Sequence, residues 1–182
     1  MPLVRRDPPY RAEDASVSEP DCPEASHDLG LALEGEKDLR RREALLAKLL
    51  ALSDASAAAE LARHLRSEEA GLRNACMETL QAMPAAAASV LPGLLCDQDP
   101  DVRLLATEIV RAQPTETANR LLAALLDVET HPNVCGAAVE VLAEVGTADA
   151  IPALRAVRTR FASEAFLPLA IDTVLTRLAP GR

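Results

Sequence analysis

Aromatic residues are almost missing from this chain: of 182 residues two are Phe, one is Tyr and none is Trp. The apolar content is 49%, nearly all Ala, Leu and Val, so the core is built from helix-favouring aliphatics and an all-α fold is expected. Helices rich in alanine pack closely and leave little volume for a deep cofactor pocket. Histidine is scarce, with only His27, His64 and His131, and no His-Glu pair occurs. The seven glycines are scattered, which excludes a glycine-rich phosphate loop. No stretch approaches eighteen apolar residues, and the first eleven residues hold no apolar targeting core, so membrane insertion is not expected and a cytoplasmic location is. Four cysteines without paired spacing suit a reducing compartment better than a disulfide framework. A formal charge of −9 disfavours nucleic acid as a partner.

What the chain has is repetition. Leu61, Leu91, Leu121 and Ile151 recur every 30 residues, and Leu72, Val102, Val134 and Phe166 form a second ladder at 30, 32 and 32. Each unit between them has room for two short helices and two turns, the pattern of a helical solenoid. Cys76, Ala106, Ala138 and Ala170 repeat as small residues, and Leu80, Val110, Leu142 and Val174 as large ones, so neighbouring helices approach at one position and fill the groove at the next. Expected helices run over 36–52 and from Ser53 or Asp54, then 68–82 with 84–96, 100–112 with 114–127, 132–145 with 148–160, and from Ser163 to about Leu178. Residues 1–35 differ: they hold five prolines and eight acidic against three basic residues, and read as an extended or disordered acidic arm. Leu29, Leu31 and Leu33 are where this arm is expected to meet the repeat domain, 36–182.

The run Asp97-Gln98-Asp99-Pro100-Asp101-Val102-Arg103, followed by Ala106, Val110, Leu121, Ala124 and Leu125, resembles the HEAT-repeat family, in the short units found in proteins similar to phycobilisome-lyase subunits. The resemblance covers about 38–178 and implies a right-handed α-solenoid of about four and a half helical hairpins. It also implies a ladder of Asp and Arg along the turns of adjacent units. Asp101 and Arg103 match that ladder, Arg73 matches with Glu69 nearby, and Arg42 matches more loosely. Cys135 and Leu167 stand where arginines are expected, so the ladder should weaken toward the C-terminus.

No convergent polar site is legible, so no catalytic residue, metal ligand or cofactor is assigned. The iron-dependent hydroxylases that resemble these repeats rely on His-Glu pairs, and glycosylases of similar build need a basic groove with aromatics. His131 falls in register with the helix-capping positions Asp99 and Ser163. Cys76 and Cys96 read as small core residues, whereas Cys135, in an arginine's place, reads as the exposed and most reactive thiol. In the resembling family the second helix of each hairpin lines the concave face. There Arg63, Arg66, Arg120, Arg155 and Arg158 suggest a mildly basic groove, with Arg155 at a position otherwise held by Leu65, Leu95 and Leu125. The functional expectation is a non-catalytic adaptor, scaffold or assembly factor that binds a protein, such as an acidic peptide or helix. The alternative is a subunit similar to the bilin lyases that handles a prosthetic group.

Overall fold

The computed structural model describes residues 23–179. Within them the chain forms eleven α-helices and one 3₁₀ turn, with no strand. Helix α1 (Pro23–Leu33) precedes four hairpins: α2 (Leu39–Leu52) with α3 (Ala55–His64), α4 (Ala70–Ala82) with α5 (Pro84–Ala87) and α6 (Leu91–Leu95), α7 (Pro100–Val110) with α8 (Thr115–Val128), and α9 (Pro132–Val145) with α10 (Ile151–Arg160). Helix α11 (Leu167–Leu178) is a first helix without a second. Successive first helices α2, α4, α7, α9 and α11 pack side by side in one layer, and the second helices form the other.

Side-chain acceptors start the helices. Asp38, Asp54 and Asp99 sit in extended backbone and accept the N–H groups of Arg41, Ala57 and Asp101 at 2.9, 2.7 and 2.9 Å, each such cap adding about 1 kcal/mol. Pro92 breaks the second helix of the second hairpin into α5 and α6, because a proline inside a helix removes one N–H and crowds the preceding turn. The 3₁₀ turn Ala148–Ala150 before Pro152 is the same effect at the entry to α10.

Between the layers runs one aliphatic core that includes Leu61, Leu91, Leu121, Leu72, Val102 and Val134. Cys76, Ala106 and Ala138 are buried at the small position, and Leu80, Val110, Leu142 and Val174 at the large one. The last rung of each ladder departs from expectation. Both helices of the fourth hairpin carry an offset of 32 rather than 30, so Ala153, Leu154 and Val157 take the places of Leu121, Leu122 and Leu125. Ile151 is therefore only partly buried, and Arg155 replaces no core leucine and projects to solvent. In α11, Pro168 fixes the start at Leu167 instead of Ser163. Leu167 and Ile171 fill the rungs expected of Phe166 and Ala170, and Phe166 is 70% exposed.

Residues 23–33, assigned by sequence to the arm, are helical and packed. Leu33 is fully buried, Leu29 partly so, and Leu31 faces solvent. The His64 ring nitrogen Nε2 lies 3.0 Å from the carbonyl oxygen of Gly30, and His27 Nδ1 lies 3.0 Å from Glu60. Gly30 permits this approach, since a Cβ there would strike the Glu60 side chain. The rest of the arm, residues 1–22, lies outside the described residues.

Candidate functional site

The turns entering the first helices repeat one hydrogen-bonded device. At Glu36, Ser67, Asp97 and Glu129 a side-chain oxygen accepts the N–H two residues on, at 2.9, 3.2, 2.9 and 2.8 Å. Six residues after the first three, a guanidinium donates back to the same residue's carbonyl: Arg42 to Glu36 at 2.6 Å, Arg73 to Ser67 at 2.7 Å, Arg103 to Asp97 at 2.7 Å. Two of these arginines also reach the next unit. Arg42, buried among the turns, grips Glu69 through two bonds of 2.7 and 2.9 Å, so the loosest sequence match makes one of the firmest links. Arg103 holds Glu129 at 2.6 and 2.9 Å.

Glu129 is only 3% exposed. Burial pulls its carboxyl upward, but hydrogen bonds from Arg103 and from the His131 and Thr130 N–H groups outweigh that and hold it below the usual carboxylate range. In turn, the hydrogen bond to Glu129 raises Arg103 above the usual arginine value. Sequence reasoning missed Glu129, whose signal was its register with Asp97 and Glu36. His131 occupies the helix-cap position as expected but forms no side-chain cap bond, while its own N–H is held by Glu129.

At Cys135 the arginine-to-carboxylate links between these turns stop among the described residues, as the missing arginine implies, and only the bond to the turn carbonyl is rerouted. Arg160, at the end of α10, donates to the Glu129 carbonyl at 2.6 Å and to those of Leu126 and Asp127 at 2.9 and 2.8 Å. One cation thus replaces the missing arginine and caps the carbonyl end of α8, where positive charge is favourable. Arg177 repeats this for α9 through Leu142 and Gly146 at 2.7 and 3.0 Å.

The cysteine assignments exchange places. Cys135 is buried and its thiol is pushed up to about 11 by burial and by the neighbouring Glu129 charge. Cys76 is buried as expected, and burial pushes it up to about 12. Cys96 is exposed rather than in the core, because it follows the last buried leucine of α6.

All five arginines named from the sequence belong to the second-helix layer or its turns, and all are exposed. Arg63 and Arg66 share a shallow groove between α3 and α6, floored by Ala59, Ala62 and Gly93. Each is engaged by an acid, Arg63 by Glu60 at 2.6 Å and Arg66 by Asp97. Arg158 is held by Asp172 of α11 at 2.5 and 2.8 Å, and this hydrogen-bonded pair draws the Asp172 carboxyl downward. Arg120 and Arg155, on the neighbouring helices α8 and α10, have no carboxylate partner among the described residues. The structure therefore brings Arg63 and Arg66 together and sets Arg120 two hairpins further along and Arg155 and Arg158 three.

Among the described residues no group of three or more His, Cys, Asp or Glu is placed to hold a metal ion. No helix among them is long and apolar enough to cross a membrane. Residues 87–164 match the family model described as HEAT repeats. No curated protein matches the chain.

Proposed function

We propose that this HEAT-repeat chain is a non-catalytic, cytoplasmic adaptor or assembly factor that takes an acidic peptide or helix along its second-helix layer. HEAT repeats are commonly protein-interaction scaffolds, and the chain's own contribution is where its positive charge stands. In a protein of charge −9, the observation that carries the proposal is the pair Arg120 and Arg155, exposed on adjacent second helices with no carboxylate partner among the described residues. A partner carboxylate meets these guanidinium groups without first displacing an internal acid. Arg63, Arg66 and Arg158 extend the same face, but their bonds to Glu60, Asp97 and Asp172 must open or be shared, so they contribute less to affinity and more to selectivity. The bilin-lyase-like alternative rests on the sequence resemblance alone.

The test is capture of native partners by purified protein and by the double variant Arg120→Glu, Arg155→Glu. Both positions are exposed, so the variant keeps its fold, as circular dichroism will verify. Loss of the captured partner supports the assignment; unchanged capture overturns it.

A further inference from the structure

The first-helix layer carries a second surface of opposite sign. Helix α9 exposes Asn133, Gly136 and Glu140 in a row spaced three and four residues, which places them on one face. Together with Leu104 and Glu108 of α7 and with Glu164 and Phe166 before α11, this row lines an open cleft of about 430 Å³. No lysine or arginine lines it. Glu108 is bound by Arg111 at 3.1 Å, whereas Glu140 and Glu164 are exposed and form no ion pair among the described residues.

Two features lack a purpose within the chain's own packing. One of only two phenylalanines, Phe166, stands 70% exposed at the cleft, and Leu169 beyond it is 66% exposed. Gly136 sits mid-helix where a Cβ would meet nothing within 4 Å, although alanine there favours the helix by about 1 kcal/mol. A bare backbone on the floor of a cleft lets a bulky group approach closely.

We propose that this cleft docks a basic amphipathic helix of a partner protein, with one large apolar side chain seated over Gly136 beside Phe166 and Lys or Arg side chains meeting Glu140 and Glu164. Charge complementarity selects this occupant, since the walls offer apolar contact and uncompensated carboxylates but no cation. The row on α9 spans about two helical turns, close to 10 Å, which suits a helix laid in a groove. The site lies on the layer opposite the arginines and stands independently of their assignment.

The chain lacks Trp, so the fluorescence of a peptide carrying a single Trp reports binding without background. The probes are a 16-residue Leu/Lys amphipathic helix with one Trp and its Leu/Glu counterpart with the same apolar face. The Lys peptide should bind and shift its emission to the blue, while the Glu peptide should not. Gly136→Leu, which fills the floor, and Phe166→Ser should each weaken the Lys peptide at least tenfold. Glu140→Lys should weaken it too, while Glu43→Lys, the same charge change at an exposed site on α2, should leave it within twofold. Equal weakening by Glu43→Lys and Glu140→Lys would mean attraction to net charge and overturn the site, as would indifference to Gly136→Leu. Sedimentation of the protein alone supplies the remaining outcome: a dimer abolished by Gly136→Leu would make a second copy the occupant and overturn the proposal as well.

Discussion

Glu129 shows how one side chain couples two hairpins. It binds Arg103 of the preceding unit while holding the N–H groups that open α9, so replacing it takes the carboxylate from a largely buried guanidinium and leaves it only the carbonyls of Asp97 and Gln98. Glu129→Gln should cost about 3 kcal/mol, the range for breaking a buried ion pair from one side, read as a drop in the urea midpoint at pH 7. Because the folded-state pKa is depressed, the native state binds fewer protons than the unfolded one. The stabilisation is complete above the unfolded value of about 4.3 and disappears as pH falls through the folded value. The gap between wild type and variant should therefore close in acid, and a gap that persists unchanged would assign the effect to packing. Thiol chemistry separates the cysteines at the same scale. With Cys22 replaced by Ser, one equivalent of a thiol reagent should react quickly at Cys96, while Cys76 and Cys135, buried and with raised thiol pKa values, should react only on unfolding. Rapid labelling of Cys135 would contradict its burial.

At the scale of elements, two junctions hold the ends of the stack. Helix α1 is short and docks through Leu33, the Gly30–His64 contact and the His27–Glu60 pair. Gly30→Val should push its branched Cβ onto Glu60 and undock α1, seen as lost hydrogen-exchange protection in residues 23–33 with α7 to α10 unchanged. Protection retained in α1 would show that the close approach is dispensable. Near the other end, Arg160 donates to three carbonyls around the end of α8. Arg160→Ala should cost about 2 kcal/mol, the scale for losing hydrogen bonds from a charged donor. Thermal unfolding measures this, and a change under 0.5 kcal/mol, about the usual size for surface substitutions, would reduce Arg160 to a surface charge.

Across the whole molecule, stacked repeats contact mainly their neighbours, so opposite faces are able to carry opposite charge without cancelling. With the arginine face and the acidic cleft on different layers, an acidic and a basic peptide should bind together, each with its affinity changed less than twofold by saturation with the other. Mutual exclusion in a competition titration would mean a single shared surface. Both affinities should fall with added salt, since exposed charges are screened within about 10 Å at 0.1 M.

Periodicity alone carried the fold. The alternation of small and large residues placed Cys76, Ala106 and Ala138 against neighbouring helices, and the aspartates marked where helices begin. Those features are local or strictly repeated, so they are legible in one dimension. What failed did so where a proline or a two-residue lengthening altered the register: Ile151, Arg155 and Phe166 moved off the core because helix starts shifted, and each shift turns a helical face by about 100° per residue. The arginines' residence on the second-helix layer was legible as well. Their engagement was mostly not: Glu60 lies three residues before Arg63 on the same helix, but Asp97 and Asp172 meet Arg66 and Arg158 only by packing between elements. Only the tertiary structure revealed that Arg160 substitutes for Cys135 across 25 residues, that Glu129 is the buried partner of Arg103, and that Glu140, Glu164 and Phe166 border one cleft. Sequence determines which helices form and which stripes they bury. Pairing among distant charges is decided only when the helices are stacked, because it depends on separations in space that no repeat period encodes.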